Sequence, residues 1–321
     1  MSDILISKEI CNLLCCPVCS AKLTKKNQLF KCNNSGCLSE FPIIDDIPVL
    51  INEKNSIFNI DDFVFKKKTF FDNSDKNNLK KIFRLIPSIS KNIKAKSNYI
   101  RVTELLLKQN PNPKVLVIGG SIIGQGMEYL INNNAIDLVE TDVSFGERTM
   151  LICDTHDIPF QDNSFDCVIV QAVLEHVVDP YRCVEEIYRV LSPKGVVYAE
   201  TPFMQQVHGG RYDFTRFSHL GHRRLFRQFQ EIDSGAVCGT GMALAWAYKY
   251  FLMSFTTSKK LRSVLCLFAT LTSFYLKYFD YYLINKPSTL DAASGYYFIG
   301  NKTDNILSDI DLIKLYKGAM E

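Results

Sequence analysis

The chain has 321 residues, 47% of them hydrophobic and 22% charged, with mean hydropathy near zero and a formal net charge of +3 at pH 7. That length holds one large domain and a small one, and the near balance of charge does not mark a nucleic-acid binder. The N-terminus, MSDILISKEI, lacks the basic start and long apolar run of a secretory signal, and six of the eleven cysteines fall before residue 38. This distribution predicts a reducing, cytoplasmic setting with one metal site rather than a disulfide scaffold.

Residues 1–51 form a cysteine-rich module. Cys16-Pro17-Val18-Cys19 and Cys32 to Cys37 are two knuckles separated by twelve residues, a spacing that places four thiolates around one structural Zn2+. Cys15 competes with Cys16 for the first position. Four thiolates leave no open coordination position, so the ion's expected role is to hold a small module folded. The nearby Lys22, Lys25, Lys26 and Lys31 are sparse and lack interleaved aromatics, so nucleic acid is not the expected partner.

Residues 52–98 read as a Lys/Asn-rich connector with KKK at 66–68 and a short helix around Leu79 to Ile86. The main domain spans 99–303 and opens on a helix at Ile100 to Leu107. Alternating strands and helices follow, which predicts an α/β fold with a mostly parallel sheet covered on both faces. Lys114 to Gly124 is a strand running into a glycine turn, where Gly119, Gly120 and Gly124 let a ligand approach the backbone. Ile136 to Asp142 is the next strand, with acids at its carboxyl end. Little room separates Asp142 from the strand at Thr149 to Ile152, so the intervening helix is expected to be short or absent.

Cys153 to Pro202 reads as strand, loop, strand, helix, strand. Phe165 to Val170 is an apolar strand, Asp179-Pro180 opens a helix with Val184, Ile187, Tyr188 and Leu191 on its apolar face, and Val196 to Ala199 is the following strand. Beyond it, His208 to Phe217 (HGGRYDFTRF) gathers charged and aromatic residues at the same sheet edge. Ile232 to Cys238 and Gly295 to Gly300 are the last two strands, separated by the apolar helical insert 241–286. Neither of its apolar runs reaches the ~20 residues that span a bilayer. Either its helices pack as a lid or homodimer surface, or they lie in a membrane interface with Lys249, Lys259, Lys260, Arg262 and Lys277 outward. Residues 304–321 form a C-terminal tail.

Three phrases in order, IPFxDNSFDxV, VLEHVxDP and RVLxPxG, resemble class I S-adenosylmethionine-dependent methyltransferases, and the likeness extends over roughly residues 100–240. It implies a Rossmann-like seven-stranded sheet with the cofactor at Gly119, Gly120 and Gly124. Asp142, or Glu140 as second choice, would take the ribose hydroxyls, and Asp154 would lie at the adenine. Val117 stands where the family usually has an acid. Glu175 and His176 would lie above the fourth strand, with His176 packing, orienting the loop or acting as a catalyst.

The HGxxxDFxRF pattern resembles an acceptor loop of a bacterial methyltransferase subgroup. His208 is then the candidate general base, and Tyr212, Asp213 and Arg216 the candidate acceptor-binding residues; alternatively, Asp213 and Arg216 form an ion pair that fixes the loop. FPIIDDIPVLI (Phe41 to Ile51) resembles the zinc-ribbon activators of tRNA and protein methyltransferases. The favoured reading is methyl transfer to a small-molecule, glycan or lipid-linked acceptor. A tRNA or protein methyltransferase recruited through the ribbon, and a non-catalytic scaffold, are the alternatives.

Overall fold

The computed structural model describes residues 4–67 and 86–319. Apart from Ile86, the helix expected around 79–86 lies outside the described residues. The N-terminal strands are β1 (Leu23–Lys26), β2 (Leu29–Cys32), β3 (Glu40–Ile44) and β4 (Ile47–Leu50). The main domain supplies β5 (Lys114–Ile118), β6 (Asp137–Asp142), β7 (Leu151–Cys153), β8 (Phe165–Gln171), β9 (Leu191–Pro202), β10 (Phe229–Cys238) and β11 (Gly295–Lys302).

All eleven join in one sheet of order β1-β2-β3-β4-β7-β6-β5-β8-β9-β11-β10. Strands β4 to β9 that neighbour one another beyond the N-terminal hairpins pair in parallel, and β11 runs antiparallel between β9 and β10. The N-terminal module is therefore not a separate bead: β4 pairs with β7 through Val49–Ile152 and Leu50–Cys153. A strand rich in β-branched residues, IPVL, closes what would otherwise be an exposed edge.

The central strands β5 and β8 are apolar along most of their length because both faces are covered. Their period of two divides the side chains cleanly. Leu116, Ile118, Val168, Val170 and Val197 face one layer, together with Cys183, Val184 and Ile187 of the helix Pro180–Val190. Val115, Val117, Ile169 and Tyr198 face the other, against Tyr99, Val102 and Leu106 of the helix Ala95–Gln109. Ile10, Leu14, Phe30 and Phe41 of the cysteine-rich module belong to the first layer, so the two parts share one core. The helix Pro180–Val190 starts as its sequence dictates, with Asp179 accepting the Arg182 N–H at 3.1 Å and Pro180 in the first turn. Between Asp142 and Leu151 the chain turns without a helix.

The insert folds as the helices Thr240–Met253 and Lys259–Ser273, followed by shorter turns. Buried Asp280 caps the first of these from outside, accepting the N–H groups of Gly241 (2.7 Å) and Met242 (2.9 Å). Two of the basic residues expected to point outward do not. Lys277 is buried and donates to the Ser88 carbonyl, and half-buried Lys249 lies over the Trp246 ring at 4.3 Å. Cation–π contact and a carbonyl partner hold these ammonium groups against the protein. Lys259, Lys260 and Arg262 are exposed. No described helix is long and apolar enough to cross a membrane.

Candidate active site

A cavity of about 600 Å3 opens at the carboxyl edge of β5, β6, β7 and β8, where the direction of strand connection reverses and open α/β sheets hold their ligands. Its floor is the glycine turn. Gly119 has φ +75°, and its N–H and that of Gly120 both donate to the Thr141 carbonyl at 2.9 Å, folding the turn back over β6. A Cβ at Gly119 would stand 2.4 Å from Val173 Cγ2, and one at Gly124 would stand 1.7 Å from Gln171 Oε1. Gly119 is thus required by its left-handed backbone and by Val173, whereas a side chain at Gly124 would displace the Gln171 amide from the cavity wall. Gly120 leaves room for Glu140, whose Cβ would lie 2.9 Å from a Cβ there.

Asp142 ends β6 at the cavity wall. Its carboxylate accepts the N–H groups of Ser121 (3.1 Å) and Val143 (2.7 Å) and the Ser144 hydroxyl (3.0 Å). About four acceptor positions on a carboxylate leave capacity for one further donor, such as a ribose hydroxyl. Glu140, the second choice, is buried and ion-paired to Arg148 at 2.6 Å. It does not line the cavity. The apolar side chains of Ile118, Ile122, Val143 and Phe58, together with Asp142, form a pocket whose size and chemistry suit a nucleoside with a carboxylate-held sugar. Buried Val117 points away into the opposite layer, so the turn offers no acid at that place.

Asp154 is buried at the far wall. Its Oδ2 accepts from Ser56 Oγ at 2.5 Å and its Oδ1 lies 2.6 Å from His156 Nδ1. Burial opposes its ionisation, yet the His156 and Ser56 hydrogen bonds hold its carboxyl below the usual range. His156 Nε2 accepts the Asp179 N–H at 3.1 Å, which assigns the ring proton to Nδ1. His156 is thereby an orienting residue. Ser56, Ile57 and Phe58 come from the segment read as a connector. Sequence reasoning missed them because 98 positions separate Ser56 from Asp154, and no local pattern marks them.

The opposite end of the cavity is built by the VLEH segment and the HGGRYDFTRF loop. The Glu175 carbonyl accepts the Phe214 N–H at 2.8 Å, tying the two together. His176 and His208 both line the cavity, their ring centroids 5.0 Å apart. Gly209 permits this approach, since a Cβ there would meet the His176 ring at 2.5 Å. Asp213 and Arg216 face each other instead of the cavity. Asp213 accepts the N–H groups of His208 (2.8 Å) and Gly209 (3.0 Å) as well as the Arg216 fork, while Arg216 also donates to the carbonyls of Gln205 and Thr215. Burial works against the Asp213 charge, but these partners hold its carboxyl far below the ordinary value. Fixing the loop is therefore what this pair does among the described contacts. Tyr212 stacks on Phe58 at 6.1 Å and its carbonyl meets His176 Nδ1 at 2.8 Å.

Glu200, at the carboxyl end of β9, was not foreseen. It is fully buried, accepting from Tyr198, from Gln171 (2.8 Å) and from Asn92 (2.9 Å), and burial pushes its carboxyl up to about 7. Asn92 and Gln171 in turn line the cavity.

Away from this cavity, the sulfurs of Cys16, Cys19, Cys32 and Cys37 lie within 4.8 Å of one another. Cys16 Sγ is 3.8 Å from Cys37 Sγ and Cys19 Sγ is 3.4 Å from Cys32 Sγ. Tetrahedral thiolates at ~2.3 Å from one ion stand roughly 3.8 Å apart. The four cysteines can therefore hold a metal ion. Cys15 points elsewhere, its backbone N–H bonded to the Pro159 carbonyl.

Residues 121–199 match the methyltransferase domain family. Gly124, Asp142, Asp154, Glu175 and His176 fall within that stretch, and Gly119 and Gly120 immediately precede it. A ubiquinone/menaquinone biosynthesis C-methyltransferase of Geotalea daltonii is 38% identical over 80 residues, 24% of this chain and 30% of its own length. Its counterpart from Brucella canis is 32% identical over 81 residues, 25% of this chain and 27% of its own. The chain thus spans less than a third of the length of the curated relatives it matches. Among solved structures, the phosphoethanolamine N-methyltransferase 2 of Haemonchus contortus in complex with S-adenosyl-L-methionine is 16% identical. That likeness covers 74% of this chain and 60% of that one, with a TM-score of 0.43. The match supports methyltransferase function, and it includes Asp142, Asp154 and His176 of the cavity lining.

Proposed function

We propose that the protein is an S-adenosylmethionine-dependent methyltransferase acting on a small-molecule, glycan or lipid-linked acceptor. The observation that carries this reading is the continuity of one cavity from the glycine turn and Asp142 to His176 and His208. S-adenosylmethionine, when bound, supplies a methyl group activated by its sulfonium. The turn at Gly119 and Gly120 keeps the floor low, Asp142 holds a sugar hydroxyl, and Phe58, Ile122 and Val143 exclude water from the base. Asp154, already paired with His156 and Ser56, shapes the adenine end instead of donating a free carboxylate. At the other end His208 Nε2 is the candidate proton acceptor, on its position in the cavity wall. Much of the remaining work is positioning. Purified protein analysed by mass spectrometry is expected to release S-adenosylhomocysteine or S-adenosylmethionine; its absence, together with no rebinding, would contradict the proposal.

We read the four-cysteine group as a structural zinc site. Thiolate ligands alone suit this ion, and it would tie the Cys16–Cys19 turn to the Cys32–Cys37 turn. We also infer that the insert serves a large apolar acceptor, such as a lipid-linked one. Tyr250 donates to the Val207 carbonyl at 2.8 Å and the Trp246 ring lies 6.1 Å from that of His208, so the insert borders the acceptor loop. Its outer face leaves Phe251, Phe255, Val264 and Phe268 exposed, next to Lys259, Lys260 and Arg262. This arrangement favours peripheral contact with a lipid surface. Co-sedimentation with anionic vesicles that weakens on Phe255→Asp would support it, and a stable dimer with no vesicle binding would count for a homodimer surface.

A further inference from the structure

Glu175 is the most anomalous polar group in the described chain. Its side chain is 1% exposed, and neither carboxylate oxygen has a hydrogen-bond partner. Buried carboxyl oxygens that lack a hydrogen-bond partner are costly to maintain. Two imidazoles face it. His176 Nε2 and His208 Nε2 each lie 3.7 Å from Glu175 Oε1, too far for a hydrogen bond. The other nitrogen of each ring meets a backbone carbonyl: His176 Nδ1 the Tyr212 oxygen at 2.8 Å, and His208 Nδ1 the Gln206 oxygen at 3.2 Å. These contacts hold Nδ1 of each ring at a carbonyl and turn both Nε2 atoms toward the carboxylate. Arg216 and Asp213 also approach His208 Nδ1, at 3.5 Å and 3.6 Å, but on the side away from Glu175. Three atoms of ligand chemistry thus converge. Imidazoles anchored through Nδ1 to a carbonyl are the usual arrangement of metal-ligating histidines.

We propose that Glu175 Oε1, His176 Nε2 and His208 Nε2 form a site for one divalent first-row transition ion whose open positions face the cavity. The three donors lie within 4.8 Å of one another. Ligands at ~2.1 Å from a common ion stand roughly 3.0–3.4 Å apart, so the two Glu175–histidine gaps of 3.7 Å close by a few tenths of an ångström. Two imidazoles and one carboxylate select such an ion over Mg2+, which prefers oxygen ligands. On the methyl-transfer reading, and resting on it, the open positions take an oxygen donor of the acceptor. In the ion-bound protein His208 Nε2 is a ligand and no longer takes the acceptor's proton.

The test uses the full chain with its four-cysteine site intact and Mn2+ as the probe, since soft thiolates compete poorly for this ion. Electron paramagnetic resonance is expected to show one Mn2+ bound per chain, and binding at least about tenfold weaker in Glu175→Gln and in His208→Ala. Mn2+ is expected to raise the melting temperature of the wild type and not that of Glu175→Gln, whose neutral amide removes the buried charge and keeps the fold. Equal Mn2+ binding by wild type and Glu175→Gln, or no binding by wild type at millimolar Mn2+, would overturn the site. S-adenosylhomocysteine binding is measured in the same samples. It is expected to be equal in both proteins, so that loss of cofactor binding and loss of the ion register separately.

Discussion

Ser56 Oγ donates to Asp154 Oδ2 at 2.5 Å, joining the segment after the cysteine-rich module to the wall of the main-domain cavity. This bond makes the N-terminal part a contributor to the pocket. Replacing Ser56 by Ala leaves one oxygen of a buried carboxylate without its donor. A hydrogen bond to a charged group is worth about 1.5–3 kcal/mol. Ser56→Ala is expected to lower stability by an amount in that range and to weaken S-adenosylhomocysteine binding several-fold, read by chemical denaturation and calorimetry.

The shared core and the β4–β7 pairing predict how the metal affects the whole chain. Stripping the four-cysteine site with a strong chelator is expected to lower the melting temperature of a single transition by calorimetry. A separate low-temperature transition, with the main transition unmoved, would show that the module unfolds alone.

Glu200 should leave a signature in pH. Its carboxyl is pushed up by burial to about 7, against an unfolded value near 4.5. Between those values the folded state holds the proton more tightly than the unfolded state, so stability falls as pH rises from about 4.5 to 7 and the full penalty remains above that. The shift corresponds to roughly 3 kcal/mol. Glu200→Gln is expected to flatten this part of the stability–pH profile. Asp213 acts with the opposite sign: held well below its ordinary value by Arg216 and two N–H groups, it contributes stability above about pH 4 that is lost as pH falls further.

Gly119→Ala places a Cβ 2.4 Å from Val173 Cγ2 at a φ of +75°. A left-handed non-glycine residue costs about 1–2 kcal/mol before any clash. The variant is expected to lose cofactor affinity more than stability, because Val173 and the turn itself line the cavity and must shift.

The fold was legible where one face or both of a strand is buried. The runs at 115–118, 167–170 and 196–199 are apolar with no break, and Asp179-Pro180 marks its helix start directly. The short Asp142–Leu151 connection was readable from length alone. The edge union of β4 with β7 was not, because IPVL pairs as readily within a small ribbon as across to a larger sheet. At the site, Gly119, Gly124 and Asp142 lie at the cavity as their places at strand ends imply. Ser56, Phe58, Asn92 and Glu200 carry no local signal, since long-range packing alone brings them there. The residues of the insert and loop that face one another, Trp246 with His208 and Tyr250 with Val207, were likewise hidden by sequence separation. Lys277 misled because a basic residue in an apolar helix normally snorkels outward, whereas here the Ser88 carbonyl receives it.

The central claim is that the cavity over Gly119 and Asp142 binds the methyl-donor cofactor. Calorimetric titration of the full chain with S-adenosylhomocysteine tests it most directly. Saturable one-to-one binding is expected, weakened about tenfold or more in Asp142→Ala through loss of a charged hydrogen-bond acceptor. No binding at millimolar ligand, or equal binding by the variant, would contradict it.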